Sequence, residues 1–306
     1  MTPSIHEFSP VLTDDGMVWI VHGILDGSFV CRPKYVPDAH GRIRIGETTY
    51  ERLHSPVFSE TGLVLPAWHK YNAMGLYRSL FVIKEKDIKK AYRYDTPIGN
   101  RTQTAQVASR LIHDIVLTAC VSPAEIGFIG SLILHSETDG YSDIDLAFSN
   151  ENALTKALSI MEKLPGIHLR NTYEWRMFYR KMNVQGVDEK SFVKTRKGTK
   201  LQGFYCNIPF SIFLIREHLL EFTRYSGVGS AVEKTGILHG RNGGIYNYPI
   251  NGTLVAADGE YNVMIWDRRY VGLGIFDRPI TLKGMCNGRD IVLSPSYDNL
   301  IFNTGK

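Results

Sequence analysis

Residues 126–148 read IGFIGSLILHSETDGYSDIDLAF. A short apolar run ends in Gly130-Ser131, and after eleven intervening residues stands Asp143-Ile144-Asp145-Leu146. Residues two apart on an extended strand share a face, so Asp143 and Asp145 project together while Ile144 and Leu146 turn the other way. Two carboxylates side by side repel each other unless a cation lies between them. Hard oxygen donors on a rigid strand suit Mg²⁺, which takes one or two carboxylates and completes its shell with substrate phosphates and water. Gly130 allows a close backbone approach. Ser131 offers a hydroxyl and an N–H at the start of a short helix over 131–137, where an anion is favoured. Together these residues predict a site for a metal-bound triphosphate, with Asp143 and Asp145 as metal ligands and Gly130 and Ser131 against the phosphates.

The flanks of this stretch have helical periodicity. Apolar residues fall at three- and four-residue spacing over 103–120 (Val107, Leu111, Ile112, Ile115, Val116, Ala119) and over 150–164 (Leu154, Ala157, Leu158, Met161, Leu164). A third helix is expected over 172–182, with Arg176 and Arg180 four apart on one face, a spacing that can clamp phosphate. The stretch 184–200, which contains KTRKGTK, has the composition of a mobile basic loop. Residues 201–215, LQGFYCNIPFSIFLI, form one long strand candidate, and 216–225 a further helix.

Towards the N-terminus the pattern is β. Residues 17–25 and 28–36 flank Asp26-Gly27, a hairpin signal, and 42–45, 48–53 and 80–83 are further short strands. Arg32 and Lys34 share one face of the second strand. KEKDIKKAYRYD, 84–95, has the charge pattern of a helix start with a basic face. Towards the C-terminus, 226–242 is glycine-rich and marks a boundary. Five short strands follow, at 250–257, 261–266, 271–276, 280–285 and 290–293, which suggests a small barrel of the OB type. Tyr261, Trp266 and Tyr270 there are candidates for base stacking, with core packing the better default.

Composition bounds the reading. The chain has 306 residues, 43% apolar and 22% charged, with a net charge of +4. That is an ordinary globular balance, too weakly basic to argue for nucleic acid by itself. Cys31, Cys120, Cys206 and Cys286 lie far apart without zinc-site spacing and are expected to be reduced core residues. No apolar run is long enough to span a bilayer, and the first residues lack a signal-peptide pattern, so a cytoplasmic location without membrane partners is expected.

Gly-Ser, eleven residues, then Asp-Ile-Asp-Leu resembles the signature of the DNA polymerase β-like nucleotidyltransferase superfamily. The longer match GSLIL…YSDIDLAF, with RPKYVPD near the N-terminus, resembles a group of predicted nucleotidyltransferases common in archaea. The resemblance implies an α+β fold: a polymerase β-like core of mixed sheet and helices over 101–225, flanked by the β-rich region 1–100 and the OB-like domain 226–306. It also implies Mg²⁺ (or Mn²⁺) on Asp143 and Asp145, a nucleoside triphosphate substrate, and phosphate contacts from Gly130, Ser131, Arg176 and Arg180. Such a core also implies a third carboxylate on the strand at 201–215, and here the sequence departs from the pattern. The candidates for that position are Ser211, the best match, Asn207, and Glu217 just beyond the strand. The expected activity is transfer of a nucleoside monophosphate to an acceptor that the sequence does not name: a small molecule, RNA or protein. The alternative is a catalytically silent nucleotide- or RNA-binding protein on the same fold, favoured by the missing acid.

Overall fold

Asp26 and Gly27, both at positive φ (49° and 73°), reverse the chain between two apolar strands, the backbone that a two-residue hairpin requires. β2 (Val18–Leu25) thus folds onto β3 (Ser28–Pro37), with β1 (Pro10–Thr13) on its other side. β4 (Ile43–Ile45), β5 (Thr48–Arg52), β6 (Asn72–Ala73), β7 (Phe81–Ile83) and β8 (Ile88–Ala91) extend the sheet. The computed structural model describes residues 5–53, 72–73, 80–96, 98, 102–134, 137–138, 143–181, 188–216, 218–222, 229–240, 249–266, 270–271, 275–293 and 299–302. Val11, Met17, Trp19, Val21, Cys31, Phe81 and Ile83 are buried together in this first region. The expected helix start at 84–95 is not formed. A single 3-10 turn leads into β8, whose backbone pairs with β1. Strand pairing outweighs the weak helical preference of the lysine-rich run.

A second, five-stranded sheet follows. Its elements are β9 (Ile126–Phe128), β11 (Ile144–Phe148), β12 (Ile167–Leu169), β13 (Gln202–Tyr205) and β14 (Ile208–Leu214), in the order β12-β13-β14-β11-β9. β11 runs parallel to β14, and the other pairs are antiparallel. β10 (Glu137–Thr138), between Ser131 and Asp143, leaves this sheet and pairs with β4 of the first. The helices α1 (Gln103–Ala119) and α2 (Glu151–Ile160) form where the periodicity predicts them, capped by Thr102 and Asn150. Tyr205 in β13 donates its phenol to Asp114 Oδ2 of α1 at 2.6 Å, which ties helix to sheet.

The expected strand 201–215 is broken into a hairpin. Cys206 and Asn207 both take positive φ (49° and 65°) and form its two-residue turn. The expected helix at 216–225 also fails among the described residues. β15 (Leu220–Glu221) instead pairs parallel with β2 at Gly23 and Ile24. A Cβ on Gly23 would stand 2.2 Å from the Leu220 carbonyl, so glycine admits this strand. Arg216 donates to Glu7, 1% exposed, at 3.2 and 3.4 Å from its backbone N–H and guanidinium.

The remainder is built on a ring. β16 (Ser230–Gly240), β17 (Ile250–Ala256), β18 (Gly259–Ile265), β19 (Pro279–Asn287) and β20 (Asp290–Leu293) pair in the order β16-β17-β18-β20-β19 and close through β16–β19, with β21 (Asn299–Phe302) added on β19. β18 and β20 are parallel, and the other ring pairs antiparallel. Long β16 serves two neighbours: residues 230–237 pair with β19 and 236–240 with β17. The changeover falls on Gly236, where a Cβ would meet the Val255 carbonyl at 2.2 Å. This first strand lies inside the stretch expected to be a glycine-rich boundary. The expected strand at 271–276 is absent among its described residues.

Two helices, α3 (Thr172–Lys181) and α4 (Glu189–Arg196), bury Trp175, Phe192 and Val193 with the barrel side chains. Part of the expected basic loop is thus helix, held by Phe192 at 0% exposure. The architecture is mixed α+β with a closed five-stranded barrel. Its compact units are drawn differently from 1–100, 101–225 and 226–306. One comprises 1–73, 80–169 and 200–224, and the other 74–79, 170–199 and 225–306. No helix among the described residues is long and apolar enough to cross a membrane. Cys31 and Cys286 are buried as expected, but Cys120 and Cys206 are exposed, both at turn positions with positive φ.

Candidate functional site

β11 carries the acidic pair. Ile144, Leu146, Ala147 and Phe148 are fully buried, while Asp143 is exposed and Asp145 half-buried. Alternation along the strand turns Asp145 away from Ile144 and Leu146, and Asp143 lies one residue before the strand begins. On the antiparallel side, Ile129 donates its N–H to the Asp145 carbonyl at 2.9 Å, and the chain then turns at Gly130. Gly130 has φ +76°, and a Cβ there would stand 2.6 Å from Asp145 Oδ2. A side chain at 130 would thus be strained by the backbone and would also displace a carboxylate. Beyond it comes one 3-10 turn, Leu132–Leu134, with all three side chains buried. The element after Ser131 is, among the described residues, this turn and not the longer helix expected.

On the parallel side Asp145 pairs with Ser211 of β14, and Ser211 pairs with Gln202 of β13. Side chains of directly paired residues share a face. Asp145, Ser211 and Gln202 thus form one row across three strands, with Gln202 Nε2 3.4 Å from Ser211 Oγ. Gln202 Oε1 is buried and accepts no hydrogen bond among the described residues. An orphaned buried acceptor costs about 1–3 kcal/mol, which a ligand donor or a water would recover.

Ser211 therefore stands where the sequence puts the third position, and it is neutral. Asn207 lies at the exposed tip of the β13–β14 turn and does not share the row. Glu217, with the side chain of Glu137 and all of His135, lies outside the described residues. Among the described residues no three His, Cys, Asp or Glu side chains gather as a metal nest.

Arg176 and Arg180 belong to the other compact unit. Both are exposed and share one acid. Arg180 Nε donates to Glu189 Oε2 at 2.9 Å, and Arg176 Nε lies 3.6 Å from Glu189 Oε1. Tyr261, Trp266 and Tyr270 are 7%, 3% and 1% exposed, so they pack inside their unit and present no stacking face.

Three contributors escape the sequence reading. Gln202 joins the row because of the hairpin at 206–207. Tyr35, 2% exposed, lies within electrostatic reach of Asp145 and of Arg52. Burial pushes its phenol up, Asp145 adds to this, and Arg52 opposes it. Arg52 is exposed and pairs with Tyr35 across β5 and β3, while Arg44 of β4 pairs with Glu137 of β10. Alternation in RIRI and in TTYER was the available signal, and nothing in it linked these strands to the loop after Ser131.

No family model, curated protein or solved structure matches the chain.

Proposed function

We propose that the protein is a metal-dependent nucleotidyltransferase that moves a nucleoside monophosphate from a nucleoside triphosphate to an acceptor and releases pyrophosphate. One observation carries the reading: Gly130 at φ +76°, so close to Asp145 that an added Cβ would stand 2.6 Å from its Oδ2, beside the strand that carries Asp145 directly after Asp143. A solvated Asp-x-Asp strand end needs no such glycine. The arrangement also supports a polymerase β-like core, since β11 lies between the antiparallel strand ending in Gly130-Ser131 and a parallel neighbour. The ring order β16-β17-β18-β20-β19, with one parallel pair, supports the OB type for the barrel.

Asp143 and Asp145 fit Mg²⁺ or Mn²⁺: two hard carboxylates two residues apart at a rigid strand. When bound, the ion neutralises charge on the triphosphate and on the departing pyrophosphate. The N–H groups of the turn after Gly130 and the Ser131 hydroxyl hold phosphate oxygens. The Asp145 backbone is fixed by its bond to Ile129, and Gly130, without a Cβ, leaves room for the carboxylate.

The test is the double substitution Asp143→Asn with Asp145→Asn. Pyrophosphate release from NTP and Mg²⁺ is expected to vanish while the melting temperature stays within a few degrees. Full turnover in that variant overturns the proposal. The neutral Ser211 favours a second reading, a silent nucleotide- or RNA-binding protein. That reading expects tight RNA binding with steep salt dependence and no pyrophosphate release.

A further inference from the structure

The net charge of +4 is not spread evenly along the chain. Residues 170–199 carry eight Lys and Arg against three Asp and Glu, whereas all the other residues carry 27 against 28. The positive excess therefore lies in the segment that holds α3 and α4. Arg176, Arg180, Lys181, Lys190, Lys194 and Lys197 are all exposed there. Two of the three acids are committed locally. Glu174 accepts the Asn171 N–H at 2.8 Å at the head of α3, and Glu189 is shared by Arg176 and Arg180. Two guanidiniums carry more N–H donors and more charge than one carboxylate can match, so the face they share stays cationic.

The same face carries apolar side chains in water. Among the described residues Tyr173 is the most exposed large apolar side chain, at 68%, and Met177 is 47% exposed. At 3.6 residues per turn, Tyr173, Arg176, Met177 and Arg180 share one side of α3, over about 10 Å of its length. The opposite side holds Trp175, Phe178 and Tyr179, which pack into the barrel core together with Phe192 of α4. The helix is thus clamped by its inner face and presents a fixed outer one: an aromatic ring and a thioether between two guanidiniums, with the lysines of α4 on the helix packed beside it.

We infer that this outer face of α3 and α4 binds a single strand of nucleic acid, with Arg176, Arg180 and the α4 lysines on the phosphates and an unpaired base stacked on Tyr173. A strand uses both halves of the surface, because every phosphate offers charge to a guanidinium and every base offers a flat face to a ring. An acidic peptide would use the cations and leave the tyrosine in water. A bilayer would need the apolar side of an amphipathic helix, and in α3 that side is spent on the barrel. A duplex hides its base faces, so it offers Tyr173 nothing to stack on. The inference does not rest on the nucleotidyltransferase reading, because the binding it describes needs neither Asp143 nor Asp145.

The experiment measures binding of a fluorescein-labelled 12-nucleotide oligouridine to the full chain by anisotropy, without nucleotide or metal, over a series of salt concentrations. Wild type is expected to bind, with affinity falling linearly in log Kd against log salt. Tyr173→Ala is expected to weaken binding about tenfold at every salt concentration and Tyr173→Phe to restore it, since a phenyl ring stacks as a phenol does. Arg176→Gln with Arg180→Gln is expected to lower the salt slope by about one, the loss of two phosphate contacts on a single strand. The melting temperature should stay within a few degrees in all three variants, because the side chains changed are exposed. The double Asp143→Asn, Asp145→Asn variant is expected to bind the strand as wild type does. Several outcomes overturn the inference: no binding by wild type at low salt, or affinity and slope unchanged in the α3 variants. So do competition by a 12-base-pair duplex or by polyglutamate as strong as that by unlabelled oligouridine, and Tyr173-dependent binding to phosphatidylserine vesicles but not to the oligouridine. None of these results bears on pyrophosphate release, which tests the other site.

Discussion

Across β13, β14 and β11 one row of paired residues runs Gln202, Ser211, Asp145, and across β16, β17 and β18 a row of the same kind runs Leu238, Leu254, Tyr261. The barrel row follows the ordinary rule, with exposures of 0%, 0% and 7%. Three largely apolar side chains meet there, and the one polar atom among them, the Tyr261 hydroxyl, donates to Asp258 Oδ2 at 2.9 Å. The other row places an acid, a hydroxyl and an amide side by side in a sheet whose opposite positions are fully buried, and it leaves one amide oxygen orphaned. Polar residues in a buried-strand register cost stability. Where a fold keeps them, the residues are held for what they bind.

That contrast predicts separable phenotypes. The largest is at Gly130. Gly130→Ala places a methyl 2.6 Å from Asp145 Oδ2 at a φ that disfavours it, and transfer is expected to fall about 100-fold or more, since a displacement near 1 Å of a reacting group costs that much. The melting temperature should drop by only a few degrees. An Ala variant that retains full turnover would end the claim that the glycine serves the carboxylate. In the barrel unit, Trp175→Ala removes a side chain 1% exposed and is expected to cost about 3–5 kcal/mol, read from denaturant unfolding. A loss below about 1 kcal/mol would mean that α3 is not part of that core.

Smaller than either is the effect of Tyr205→Phe, which removes one hydrogen bond to Asp114 at a cost of about 1–2 kcal/mol. It also has a pH signature. Burial, then the hydrogen bond and charge of Asp114, push the Tyr205 phenol well above its usual value. The folded state therefore keeps a proton that the unfolded chain gives up near pH 10. The stabilisation is complete below that pH and is lost as pH rises further. Wild-type stability should fall more steeply above pH 10 than that of the Phe variant, and parallel curves would refute the assignment. The smallest effect is at the barrel surface, where Lys234 pairs with Asp258. Lys234→Met should lower the melting temperature by no more than about two degrees, with part of the difference removed by high salt.

The acidic strand, the hairpin at Asp26-Gly27 and the helices α1 and α2 were legible because each is a local pattern: alternation, a turn dipeptide, a 3–4 stripe with a cap. The missed elements depend on partners distant in sequence. The helical spacing in REHLLEFTRY gave way to a strand because β2 offers Gly23 as a docking point for Leu220. β16 was hidden because Gly236, which lets one strand serve two neighbours, has the composition of a linker. At the site, Asp143, Asp145, Gly130 and Ser211 were visible from spacing. Gln202 was not, because its place in the row depends on a turn at Cys206-Asn207, where Asn207 suits positive φ but Cys206 gives no turn signal and the flanking residues read as one continuous strand. Arg52 and Tyr35 were not, because a chain carries no mark of which distant strand will settle beside a given loop.

The two compact units interleave along the chain: one is left at residue 169 and resumed at 200, and the excursion between supplies the helices that complete the other. Truncation has to respect this weave. A fragment ending at residue 225 would look like a tidy removal of the barrel, yet it would retain Trp175 and Phe192 after discarding the strands that bury them. Such a fragment should be sticky and prone to aggregate. During synthesis the same two aromatic rings have to wait, uncovered, until the barrel strands have left the ribosome.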